Sequence, residues 1–188
     1  MRSNKIIRSL CFFALLSSTG TVFGDWQTQI SEDEFEGTIT TFAYVEASKA
    51  HSDSMGKKPL FVASCTGLGY LSLRMDWQTY IDDDAFETLA KLDNDQVIEL
   101  WTAPSAKGTS MYLGKGRNGE VFLSAKAAPE NYLGEKNRKA NIYQLNDRLK
   151  KAKKVMFRQA DYRGVKYTAV FNFQGYESIS SSALSACN

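Results

Sequence analysis

Tyr70-Leu71-Ser72-Leu73-Arg74-Met75 is the stretch that decides the fold class. Its period is two: Leu71, Leu73 and Met75 fall on one side of an extended chain, while Tyr70, Ser72 and Arg74 fall on the other. That is the pattern of a strand with one face in a core. Just upstream, Leu60-Phe61-Val62-Ala63-Ser64-Cys65 follows the break at Pro59 and is a second strand. Gly67-Leu68-Gly69 then reads as the turn joining the two.

The same signal recurs on both sides. Residues 38–45 are β-branched and aromatic. Further strands are expected at 96–101, at Ser110–Leu113, and at 121–124, 155–158 and 167–173. Residues 46–58 are polar, contain Met55-Gly56 and read as a loop. One helix interrupts the series over 139–151, where Ile142, Leu145 and Leu149 recur at three- and four-residue steps opposite a basic face. A second is expected over 179–186. The sum is a mainly-β chain: an antiparallel β-sandwich or curved sheet with one or two helices near the C-terminus.

Residues 1–24 read as an export leader. Arg2, Lys5 and Arg8 supply positive charge with no acidic residue, and the apolar run from Leu10 to Leu16 is far short of the about 20 residues that cross a bilayer core. Val22-Phe23-Gly24 fits a cleavage site before Asp25. Cys11 sits inside the apolar run, not at its end, so lipid attachment is not expected. The mature unit is then a single domain, 25–188, in the periplasm or outside the cell.

Removing the leader changes the charge. Of the 23 Lys and Arg and 21 Asp and Glu, it takes three of the former and none of the latter, so the mature chain is close to neutral. Its basic pI is no argument for nucleic acid. What persists is an asymmetry: residues 25–134 carry 9 basic and 17 acidic side chains, and 135–188 carry 11 and 4. Lys136, Arg138, Lys139, Arg148, Lys150, Lys151, Lys153 and Lys154 are either a solvated face or a patch for an anionic partner, lipid headgroups or envelope polymer.

Leader removal also leaves two cysteines, Cys65 and Cys187. In an oxidising compartment a disulfide between them is the default. Closing so long a loop is worth roughly 4–5 kcal/mol in the chain-entropy model. Two free buried thiols and an intermolecular bridge through Cys187 are the alternatives.

The motifs that would carry chemistry dissolve on inspection. Gly114-Lys-Gly116-Arg-Asn-Gly119 satisfies G-x-G-x-x-G, but a strand follows it where a dinucleotide site needs a helix, and Asn118-Gly119 is a hairpin turn. Asp82-Asp83-Asp84 lacks the alternation, glycine and terminal Glu of a calcium loop and reads as a surface turn. His51, the single histidine, lies in the polar loop with no nucleophile elbow near it. Neither cofactor nor metal is expected. Trp26, Trp77 and Trp101 sit near strand ends, either to cap the core or to floor a groove beside Arg74.

The order of these features resembles a family, the VasI/TagO-like periplasmic accessory proteins associated with type VI secretion. The matching pieces are Asp25-Trp26, Leu60–Cys65 with Tyr70–Met75, Trp77-Gln-Thr-Tyr80, Leu100-Trp101, and Val170–Tyr176 leading to Cys187. Ala63-Ser64 precedes Cys65 where the family has an Arg, and Asn172 stands where an Asp is usual. The resemblance implies a non-enzymatic envelope protein that binds another protein. Three classes follow: such a binding or accessory module, an inhibitor or immunity-type protein acting on a secreted hydrolase, and a hydrolase.

Overall fold

Ten strands form a single hydrogen-bonded antiparallel ladder in the computed structural model, which describes residues 25–51, 57–82, 86–95, 97–113 and 135–187. They are β1 (Gln27–Glu32), β2 (Ile39–Glu46), β3 (Lys49–His51), β4 (Leu60–Thr66), β5 (Leu71–Asp76), β6 (Phe86–Leu92), β7 (Ile98–Pro104), β8 (Ser110–Leu113), β9 (Lys154–Ala160) and β10 (Lys166–Asn172). Helix α1 (Glu135–Lys151) precedes β9, and α2 (Tyr176–Ala183) runs into a 3-10 turn at Ser185–Cys187. The leader, the calcium-like Asp83-Asp84 pair, the G-x-G-x-x-G stretch and the expected strand at 121–124 lie outside the described residues.

The order across the ladder is β1-β2-β4-β5-β8-β7-β6-β9-β10-β3. β2 and β3 stand near opposite ends of it, yet only Ala47 and Ser48 separate them in the chain. With every pairing antiparallel, β2 and β3 point the same way, so β3 continues β2 and the sheet curls until its ends meet in one bent strand. Ser48 N and Oγ both donate to the Val170 carbonyl, at 2.8 and 3.0 Å, and fasten that bend. The mainly-β expectation holds, in its curved-sheet form.

The alternation in 70–75 does what its period requires. Leu71, Leu73 and Met75 are buried, and Arg74 and Ser72 face outward. Inside the curl, Phe61 is the hub of an aromatic cluster: Trp26, Phe157, Phe171, Phe173 and Tyr176 all have ring centroids within 6.3 Å of it. Ile142, Leu145 and Leu149 of α1 and Ile179 of α2 join the same core, so the two helices close the curl. The Tyr176 hydroxyl donates to Asn146 Oδ1 at 2.6 Å, both groups being buried. Cys65 and Cys187 are bonded, across a sequence separation of 122, and tie β4 to the terminal turn.

Several expected boundaries shift. Residues 46–58 are not all loop, since Lys49–His51 pair with β10. β1 and β6 carry no clear period-two signal and form nonetheless. Asp82 is not on a surface turn after a strand: β5 ends at Asp76, and Asp82 is buried with its N–H toward the Gly108 carbonyl. Among the described residues no helix is long and apolar enough to cross a membrane.

Candidate ligand-binding face

Residues directly opposite in an antiparallel pair share a face. On the outer side of β3, β10, β9 and β6 this gives two adjacent rows. Lys49, Val170, Met156 and Lys91 form one, and His51, Thr168, Arg158 and Leu89 form the other. The first row is cationic at its ends and apolar between them, while the second carries Arg158 in its middle and Leu89 at one end.

Two grooves lie on this face, sharing Met156. The larger, about 510 Å³, has Lys49, His51, Lys153 and Lys154 around Met156 and Val170. The smaller, about 270 Å³, is bounded by Lys91, Val97 and Arg158. No carboxylate is among the described residues lining either one. Asp93 is an acidic group that supports the groove from its backbone side. It adopts a left-handed conformation, φ 48°, and its carboxylate accepts the backbone N–H groups of Lys153 and Lys154 at 2.9 to 3.2 Å. Those bonds fix the backbone from which both lysines project. Among the described residues, the ammonium groups of Lys49, Lys153 and Lys154 form no ion pair. Arg158 Nε donates to Thr168 Oγ1 at 3.2 Å, which ties its side chain to the neighbouring strand.

The basic stretch divides by this geometry. Arg148, Lys150 and Lys151 lie in the last turn of α1, where cations offset the negative end of the helix dipole, and Lys150 also pairs with Asp147 at 3.4 Å. Lys153 and Lys154, just past the helix, reach the groove. Lys136, Arg138 and Lys139 are on α1 near its start, with side chains outside the described residues. Lys49 and His51, which sequence reading assigned to a loop, complete the site. Only the pairing of β3 with β10 brings them there.

Arg74 lies elsewhere, on the outer face of β5. It lines a groove of about 480 Å³ with Phe42, Tyr44, Val62 and Asp76, and its Nε has no hydrogen-bond partner among the described residues. Trp77 does not accompany it. Its side chain is fully buried, with Nε1 donating to Gln159 Oε1 at 3.0 Å, so it serves the core. Trp26 packs there as well, against Tyr176 and Phe173. Trp101 is on β7 opposite Glu87, with its side chain outside the described residues.

No family model matches the chain, and no curated protein matches it. Among solved structures, the chain is similar to the crystal structure of invasion associated protein B from Bartonella henselae. The TM-score is 0.48 and the identity 10%, over 88% of this chain and 95% of that one.

Proposed function

We propose that the protein is an exported, non-enzymatic binding protein of the bacterial cell envelope, and that the cationic face of β3, β10, β9 and β6 holds a phosphate-bearing anionic partner. One observation carries this reading: Lys49, Lys153 and Lys154 converge, without ion pairs among the described residues, on a groove with an apolar floor. Ammonium groups that project from a fixed backbone, with no ion pair among the described residues, create a positive field, which attracts anions and is screened by salt. The leader over 1–24 and the single unit 25–188 supply the export part of the reading, with which the Cys65–Cys187 disulfide agrees. Association with a secretion system is the finer reading drawn from the VasI/TagO resemblance.

Co-sedimentation tests it. Wild type is mixed with phosphatidylglycerol vesicles, with phosphatidylcholine vesicles, and with soluble poly(glycerol phosphate) as competitor. Binding to the anionic vesicles at low salt, lost with Lys153→Glu/Lys154→Glu, supports the reading. Poly(glycerol phosphate) that competes places recognition in the phosphate rather than in the bilayer. Absence of binding to both anionic probes at low salt removes the reading.

A further inference from the structure

We propose that the acidic hairpin tip between β1 and β2 is a docking knob that enters the cationic groove of a second copy of this chain, giving head-to-tail association. The inference rests on reading that groove as an anion-binding surface. It adds an occupant and a second, independent feature.

The knob is Glu32-Asp33-Glu34-Phe35-Glu36-Gly37. Phe35 is 101% exposed, the most exposed large apolar side chain described. Exposed phenyl rings are common enough singly, but this one sits among four carboxylates on a rigid loop. Asp33 Oδ1 accepts the N–H groups of Phe35 and Glu36 at 2.9 and 3.1 Å. Asp33 N donates to the Thr38 carbonyl, and Gly37, at φ 63°, donates back to the Asp33 carbonyl. The turn is closed before any partner arrives, so docking costs little ordering entropy.

The groove is its complement in both respects. It offers Lys49, Lys153 and Lys154 to the carboxylates and the floor of Met156 and Val170 to the ring. A knob cannot reach the groove of its own chain. The strand β2 runs away from the tip for eight residues, which at about 3.3 Å each holds Ser48 roughly 25 Å off. Contact is therefore between copies. Knob and groove are different surfaces, so the interface is heterologous and need not stop at a dimer. It is also small, which sets it among weak, salt-sensitive contacts.

Sedimentation velocity on the oxidised protein tests this, from about 10 µM to about 1 mM, the range in which weak contacts dissociate. The expected result is a weight-average sedimentation coefficient that climbs with concentration at about 20 mM salt and stays monomeric at about 0.5 M. Phe35→Ala, and separately Lys153→Glu/Lys154→Glu, should each abolish the climb. Glu34→Lys/Glu36→Lys should be monomeric alone but associate when mixed with Lys153→Glu/Lys154→Glu, because each then meets an opposite charge. All these positions are exposed, and near-UV circular dichroism checks that each variant is folded. A monomeric wild type at every concentration, association that survives Phe35→Ala or Lys153→Glu/Lys154→Glu, or a mixture that does not associate overturns the proposal. Phe35→Ala keeps the groove, so its binding to phosphatidylglycerol vesicles should be unchanged. Failure of self-association is thereby distinguished from failure of the anion-binding reading.

Discussion

Asp161→Asn tests whether a carboxylate, and not shape alone, holds the turn between β9 and β10. The Asp161 side chain is buried. Its Oδ1 accepts the N–H groups of Arg163 and Val165, each at 2.9 Å. Its Oδ2 accepts Arg163 Nε and Nη2 at 3.1 and 2.9 Å and the Tyr167 hydroxyl at 3.3 Å. Asparagine keeps the first oxygen and its two backbone bonds. It puts an amide NH2 where the second oxygen stood, facing two guanidinium donors. Hydrogen bonds to a charged group are worth about 1.5–3 kcal/mol each, but the Arg163 side chain is 56% exposed and water replaces part of what it loses. The net cost is therefore set at about 2 kcal/mol. Burial pushes the Asp161 pKa up, but the Arg163 side chain and the N–H groups of Val165 and Arg163 outweigh it, leaving the carboxyl below its ordinary value. A carboxylate depressed in this way stabilises the fold above its unfolded pKa, about 4, and loses that contribution as the pH falls through the folded value. Urea unfolding of wild type and variant should show the full gap at pH 7 and a gap that narrows below about pH 4. An equal gap at neutral and strongly acid pH refutes the reasoning, since the cost would then lie in shape and not charge.

Three further changes probe other parts of the fold. Cys65→Ala/Cys187→Ala releases the tie between β4 and the terminal turn and should cost up to about 4–5 kcal/mol in the chain-entropy model, read from the shift in urea midpoint. Tyr176→Phe strands the buried Asn146 Oδ1 without its 2.6 Å donor, and about 1–2 kcal/mol of stability should go with no change in far-UV circular dichroism. Gly108→Ala places a Cβ 2.7 Å from the Asp82 carbonyl at φ 63°, which should lower the thermal midpoint by several degrees, as for a loss of about 2 kcal/mol.

How much of this was legible depended on burial. Strands with one face in the core announced themselves: β5 falls almost wholly on 70–75, and Ser110–Leu113 falls on β8. The apolar steps of α1 likewise marked its core face, although the helix begins four residues earlier than its periodicity. β6 was hidden because Phe-Glu-Thr-Leu-Ala-Lys-Leu is rich in helix formers, and only its neighbours β7 and β9 make it extended. β1 lies at the ladder's edge with most residues exposed, so nothing forces alternation. β3 is three residues of polar chain, shorter than any window in which a period shows. The site suffered most from this. Lys153 and Lys154 stood out as charge, but Lys49 and His51 join them through a pairing that no local signal encodes. Arg74 was correctly placed on an outward face, and Trp77 beside it was not separable by sequence, since both lie near one strand end and only packing assigns one to water and the other to the core.

The bend at Ala47-Ser48 also sets an order of events for the chain. β3 has its partner in β10, so His51 waits for Thr168 and Lys49 for Val170, and Cys65 waits for Cys187. Contacts this distant in sequence slow folding, because the loop entropy is spent before the contact repays it. A chain threaded through a membrane from its N-terminus would carry β1, β2 and β4 across with neither the ring nor the disulfide closable until its last segment arrived. The topology thus leaves two closures until late, made by two different segments, β10 for the bend and Cys187 for the disulfide.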